Sequence, residues 1–273
     1  MPAPAFTTLA VSLEGPIAEV RLARPEQANA INAAMWQEIR QAFAWIDATP
    51  QARVAILSGA GAHFCAGIDL AMLAGLEQRI ADADEARRRE NLHRLIGDLQ
   101  DCLSSIERCR KPVLAAIHGA CVGGGLDLAA CCDMRYVAAD AYFSIKEIDL
   151  AMVADVGSLQ RLPHLLGQGM LRELAYTGRR VGAEEAVRLG LANCVFDDFS
   201  ALTAAVRQIA QTIAGKSPLA IRGIKEALNY SRDRPVADGL RQVAAWNAAQ
   251  LLSADLKETL AARQAGRPPV FAD

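Results

Sequence analysis

A glycine triplet and three carboxylates that could serve it, Asp127, Glu147 and Asp155, fall within residues 117–157. The stretch begins Ile117-His118-Gly119-Ala120-Cys121-Val122-Gly123-Gly124-Gly125-Leu126-Asp127. After an apolar segment it continues through Lys146-Glu147-Ile148-Asp149 to Val153-Ala154-Asp155-Val156-Gly157. Glycines ahead of a helix leave backbone N–H groups unobstructed, so Gly124 can present its amide to an anion. A second glycine turn, Ala66-Gly67-Ile68-Asp69, also follows an apolar run and precedes a helical pattern. If the amides of Ile68 and Gly124 converge on one carbonyl oxygen, they form an oxyanion hole. Asp127, Glu147 and Asp155 would then supply proton-transfer groups beside it. Each turn taken singly has another reading, because glycine before a helix commonly marks close packing. A dinucleotide-binding reading of the triplet fails, since the Gly-x-Gly-x-x-Gly spacing is absent.

The elements that must position these residues follow from periodicity. Residues 7–13 and 17–22 alternate apolar with polar around Glu14-Gly15-Pro16, which predicts a hairpin. Residues 32–48 have helical spacing through Met35, Ile39, Phe43 and Ile46. A short apolar run over 54–59 predicts a buried strand. Residues 81–89 are charged and contain Arg87-Arg88-Arg89; they read as a solvated helix face or loop, with contact to substrate phosphates as the other reading. Leu92, Leu95, Leu99, Leu103 and Ile106 continue as an amphipathic helix into Cys109. A strand over 112–118 leads into the glycine triplet, which opens the next helix. Strands are expected at 134–139 and 142–145, then helices at 171–176, 183–189, 202–213, 219–229 and 236–252. The fold class is α/β: strand–strand–helix units over residues 1–195, then a helical region over 196–273.

Composition narrows the partners. The 273 residues are 52% hydrophobic and 22% charged, with a net charge of −2. This suits a folded globular chain and gives no electrostatic reason to expect nucleic acid. No run approaches the roughly 18 apolar residues of a membrane helix. Residues 1–10 carry neither a basic region nor an apolar core, so no secretory signal is expected. The final Val270-Phe271-Ala272-Asp273 is not a Ser-Lys-Leu address, and a cytoplasmic location is the expectation. Seven cysteines in no metal-ligand spacing read as small buried hydrophobes, with Cys131-Cys132 as an alternative redox pair. The four histidines also lack ligand spacing, and no metal site is expected.

The loop Phe64-Cys65-Ala66-Gly67-Ile68-Asp69-Leu70 resembles the first oxyanion loop of the crotonase (enoyl-CoA hydratase/isomerase) family. The run from His118 to Leu128 resembles its second. Arg24-Pro25 with Ala28-Asn29-Ala30 is similar to the family's N-terminal CoA-contact loop. Residues 177–192 resemble the helix after its core. The resemblance implies a spiral of strand–strand–helix units, a helical C-terminal trimerisation region and an acyl-CoA substrate. It also implies a homotrimer or a dimer of trimers, and no cofactor beyond the coenzyme A of the substrate. The amides of Ile68 and Gly124 would bind the thioester oxygen as it becomes an enolate. Gln27, Ala28, Ala66, Asp69, Leu70 and Gly123 fall at substrate-binding positions. Glu26 and Gln27 stand where many relatives carry a basic residue, and Lys225, Arg263 and Arg267 are C-terminal candidates for the CoA phosphates.

The acids select the branch. Hydratases of the family carry glutamates at the positions of Asp127 and Glu147; here the first is one methylene shorter. They usually have a small neutral residue where Asp155 stands. The triad Asp127, Glu147 and Asp155 resembles that of the Δ3,5-Δ2,4-dienoyl-CoA isomerases of fatty acid β-oxidation. Moving a 3,5-diene to a 2,4-diene removes a proton from C2 and adds one at C6, too far apart for one carboxylate. By resemblance Glu147 is the C2 base, Asp155 protonates C6 and Asp127 tunes the pair. Asp155 must then be protonated, and Met152, Val153, Ala154 and Val156 are expected to solvate it poorly. Its other reading is a helix cap or an ion pair with Arg161. Asp69 reads as a helix cap, Asp149 as structural, and His118 as a strand-end histidine satisfied by backbone. The alternatives are an enoyl-CoA hydratase or 3,2-enoyl-CoA isomerase, and more remotely a non-catalytic RNA-binding member of the family.

Overall fold

The computed structural model describes residues 3–273. Residues 1 and 2, part of the stretch read for a signal sequence, lie outside the described residues. The chain opens with strands β1 (Leu9–Glu14) and β2 (Ile17–Leu22), the expected hairpin, and a 3-10 turn at Pro25–Gln27. Helix α1 (Ala33–Ala48) begins where the Asn32 side chain accepts a hydrogen bond from the Met35 amide. Strand β3 (Val54–Gly59), the short helices α2 (Leu70–Ala74) and α3 (Leu76–Arg79), and the long α4 (Glu85–Arg108) follow. Next come β4 (Val113–Ile117), β5 (Ala120–Val122), α5 (Gly124–Ala130), β6 (Met134–Ala138) and β7 (Tyr142–Ser144). A 3-10 turn at Lys146–Leu150 leads to α6 (Ser158–Arg161), α7 (Gln168–Thr177), β8 (Val181–Gly182), α8 (Ala183–Leu189) and β9 (Cys194–Phe196). The chain ends in α9 (Phe199–Ala214), α10 (Pro218–Ser231), α11 (Val236–Gln250) and α12 (Ala254–Gln264).

Six strands form the main sheet in the order β1-β2-β3-β4-β6-β9, parallel except for the first hairpin. A second sheet, β5-β7-β8, carries the turn that leads into the glycine triplet. The two-residue period of the strands sorts their side chains between two cores. Ala55, Leu57, Val113, Ala115 and Ile117 face α1 and α4, while Val54, Ile56, Leu114 and Ala116 face Leu202, Val206 and Ala210 of α9. Both faces are therefore covered, which is why β4 reads as an unbroken apolar run. Phe43 and Phe64 are among the largest side chains fully removed from water, each worth about 1.5–3 kcal/mol.

Two expectations are corrected and one is extended. The glycine triplet does not follow the 112–118 strand directly, because Gly119 turns the chain into β5, which pairs with β7. The strands continue to Phe196, so position 195 falls inside β9, and the helix after it packs under the main sheet. The helices expected at 202–213, 219–229 and 236–252 do not exhaust the helical region 196–273, since α12 follows them with a polar sequence that hides its few inward residues. The cysteines behave as read: six are buried and Cys194 is exposed.

Candidate active site

Backbone pairing builds the first half of the site. Segment 63–67 lies beside 118–122, with Phe64 N donating to His118 O, Cys65 N to Ala120 O and Val122 N to Cys65 O. On its other side Ile31 N donates to Gly67 O, and Asp69 N donates to Ile31 O. These bonds consume the groups flanking Ile68 and leave its own amide without a protein acceptor among the described residues. In the second loop Gly123 N donates to Ser144 O, while Leu126 N and Asp127 N donate to Gly123 O. The amide of Gly124, first in α5, is likewise free. Gly125 makes the approach of the two loops possible, since a Cβ there would lie 2.4 Å from Cys65 O. A Cβ on Gly124 would stand 3.5 Å from Ile68 N, so the two free amides are near neighbours. They open on a cavity of about 360 Å³ walled by Ala66, Leu70, Gly123, Glu147, Leu150 and Met152.

Asn29 locks this arrangement from behind. It is fully buried, donates to Ala60 O and His63 O at 2.8 Å each, and accepts from Arg24 N at 3.0 Å. The sequence offered a signal for it, because Asn tolerates the left-handed backbone it adopts at φ 56°. Gln27 is exposed on its 3-10 turn, and neither it nor Ala28 lies on the cavity wall; Ala28 instead accepts from Ala66 N. Asp69 caps α2 through Ala71 N and pairs with Arg24 at 2.9 Å, so its carboxylate is committed to the fold. Ala66, Leu70 and Gly123 do line the cavity. His118 Nε2 lies 2.8 Å from Gly61 O, as a strand-end histidine bonded to backbone should, but its buried Nδ1 has no partner among the described residues, so backbone satisfies only half of the ring.

The three acids occupy different surroundings. Glu147 is half-buried on the cavity wall, and its Oε2 has no hydrogen-bond partner. Burial, then the negative charge of Asp127, push its carboxyl up to about 7. Asp127 is completely buried, one helical turn from Gly123. Its Oδ1 accepts from both the amide (2.5 Å) and hydroxyl (2.6 Å) of Ser158, and its Oδ2 is unpartnered. Burial raises its pKa to about 6 even though both Ser158 bonds oppose the shift.

Asp155 departs from expectation. It is exposed, and it lines a neighbouring cavity of about 320 Å³ with Gln100, Ser104, Gln160, Arg161 and Arg232 rather than the one walled by Glu147. Val153, expected to shield it, is 74% exposed. The partial burial its carboxyl does have still raises its pKa. Neither structural alternative is realised: α6 has no side-chain cap, and Arg161 pairs with Glu107 at 3.0 Å. Lys225 is also reassigned, because its ammonium lies in a buried pair with Asp133 at 2.8 Å that docks α10 on the core. Ser158, which holds Asp127, and Leu150, on the cavity wall, carry no sequence signal of their own, and Met152, expected beside Asp155, lines the Glu147 cavity instead.

Comparison with known proteins gives a consistent result. The family model described as enoyl-CoA hydratase/isomerase matches residues 13–273. A peroxisomal Delta(3,5)-Delta(2,4)-dienoyl-CoA isomerase of Arabidopsis thaliana is 49% identical, over 91% of this chain and 90% of its own. The mitochondrial enzyme of that name from Homo sapiens is 42% identical, over 90% of this chain and 75% of its own. The crystal structure of an enoyl-CoA hydratase from Bacillus anthracis superposes with a TM-score of 0.88 at 32% identity, covering 97% of this chain and 99% of that one. The expected cytoplasmic location is overturned here, since the named isomerases are peroxisomal and mitochondrial proteins.

Proposed function

The chain belongs to the enoyl-CoA hydratase/isomerase family, and from that premise we infer that it converts a 3,5-dienoyl-CoA to a 2,4-dienoyl-CoA. The observation that carries the reading is the pairing of two unengaged amides, Ile68 and Gly124, with Glu147 on the wall of the same cavity. The thioester oxygen sits between the amides. Glu147 removes a proton from C2, and the electron pair moves onto that oxygen, where the two N–H groups stabilise the enolate. The electrons return through the conjugated chain as C6 takes a proton from Asp155. Double bonds then stand at C2 and C4, and the net change is one proton gained and one lost. No electrons are exchanged, so the chemistry requires no redox cofactor.

An elevated pKa suits Glu147 to this role, because a base near neutrality is both ionised and strong enough to act. Asp155 is exposed in the free enzyme. An acyl chain laid across it would strip that water and favour the protonated form that C6 needs. Leu70, Leu150 and Met152 supply the apolar wall for the chain. Ile224 and Leu228 of α10, Leu240 of α11, Leu251 and Leu252 in the turn after it and Leu260 of α12 are more than half exposed. Covering them in a homotrimer, or a dimer of trimers, is the assembly we propose, with region 196–273 supplying the contact and a cover for CoA.

The test is a spectrophotometric assay with a 3,5-dienoyl-CoA that follows conjugation of the product diene. Glu147→Gln and Asp155→Asn should each lose about 10²–10⁴-fold in kcat. Turnover in Asp155→Asn equal to wild type would eliminate the two-acid mechanism. Water addition to a 2-enoyl-CoA that outpaces isomerisation would make the chain a hydratase instead.

A further inference from the structure

The Ser158–Asp127 contact has a feature that ordinary loop packing does not explain. Both donors of Ser158 converge on one oxygen, Oδ1, while Oδ2 of the same fully buried carboxylate has no partner. A carboxylate held only for packing would be expected to satisfy both oxygens. Asp127 leaves α5 one turn after Gly123, whose Cα lies against Glu147, and a Cβ there would be 3.1 Å from Glu147 Oε1. Ser158 follows Asp155 by two intervening residues, Val156 and Gly157, both buried. One short contact therefore joins the helix beneath the oxyanion hole to the backbone that carries the second acid.

We propose that Ser158 is a positioning residue for the reaction: its hydroxyl and amide grip Asp127 so that a negative charge is kept beside Glu147, and they fix the Asp155 segment to α5. This rests on the isomerase reading above. The physical consequence is a choice of which carboxyl carries a shared proton. Gly123 links the two acids, since its carbonyl accepts from the Asp127 amide and its Cα faces the Glu147 carboxyl, and a charge on Asp127 raises the pKa of Glu147. With Ser158 in place, Asp127 gives up its proton first and Glu147 keeps the last one, which makes Glu147 the stronger base. The other groups facing Asp127 are Asp155 and Arg161, with the Cys121 and Cys131 thiols behind it. Among the described residues, only Ser158 donates a side-chain or loop hydrogen bond to its carboxylate.

Ser158→Ala removes the hydroxyl and keeps the amide. Losing one hydrogen bond to a buried charge should raise the titration of Asp127 by about one pH unit, close to that of Glu147. Glu147 then loses its neighbour's charge and ionises at lower pH. The acid limb of the kcat/KM profile should move down, and kcat should fall severalfold near neutral pH, where Asp127 is now protonated, and recover on the alkaline side where both acids are ionised. Ser158→Thr retains the hydroxyl and should restore both. The measurements are pH profiles with 3,5-dienoyl-CoA, and ¹³C NMR titration of labelled aspartate carboxyls in the full-length enzyme without substrate. A serine that merely packs would lower Tm and leave the limb and the titration in place; that result, or a threonine variant behaving like alanine, overturns the proposal. If the alanine variant does not fold, Ser158→Cys, of similar size but a weak donor, carries the same expectation. A wild-type protein that fails to isomerise the diene refutes the functional reading. In that event the NMR arm still decides whether Ser158 controls Asp127.

Discussion

Gly123→Ala separates the cost of folding from the cost of catalysis. Gly123 adopts φ 52° and ψ −123°, a conformation that a side chain makes costly by about 1–3 kcal/mol. For a chain of this size that loss corresponds to roughly 2–10 °C in Tm. The added methyl would also stand 3.1 Å from Glu147 Oε1 and 3.6 Å from its carboxyl carbon. The carboxylate must retreat by a few tenths of an ångström to accept it. A displacement of 1 Å at a reacting centre can cost about a hundredfold, so a few tenths should cost about fivefold to tenfold in kcat. The methyl also excludes water from a group that burial already pushes up to about 7, so the acid limb of kcat/KM should move to higher pH. Gly15→Ala is the control: its φ is 58° and a Cβ there would meet nothing within 4 Å. It should lower Tm without touching kinetics. The assay is diene conjugation across the pH range, with Tm measured on the same samples. If Gly123→Ala loses stability as expected but keeps both kcat and the acid limb, Glu147 does not act from the position it holds here.

Two further outcomes follow from the same structure. Glu147 has an ordinary pKa of 4.5 that rises to about 7 on folding. Between those values the folded chain holds a proton that the unfolded chain releases, so stability falls as pH rises through the window. Glu147→Gln should thus exceed wild type in urea midpoint above pH 7, by up to about 3 kcal/mol, and match it below about pH 4; equal midpoints at all pH values would refute the burial of this acid. The proposed assembly can be tested at Leu228, which is 68% exposed on α10. Leu228→Glu should sediment as a monomer while wild type sediments as a trimer or hexamer, and a monomeric wild type would dismiss the assembly.

Much of the fold was legible because local rules and burial agree. The hairpin around Gly15, the α1 helix capped by Asn32 and the doubly buried β4 each announce themselves by period and by turn chemistry. Strand β5 and helix α12 were not legible. The first has three residues, and its pairing with β7 is a long-range contact; the second has too little apolar periodicity to distinguish it from a loop.

The sequence by itself placed two glycine turns ahead of helices and offered Asp127, Glu147 and Asp155 as candidate acids, since backbone donors and carboxylates are written in composition and order. Tertiary packing decided which of them share a cavity. Glycine at 125 lets the two loops close to within reach of one oxygen, and solvent exclusion raises Glu147 and Asp127. It also left Asp155 exposed over a separate hollow and joined Ser158 to Asp127 across 31 positions of chain. No local pattern encodes those outcomes, because pKa and hydrogen-bond partnership depend on what the rest of the chain brings alongside.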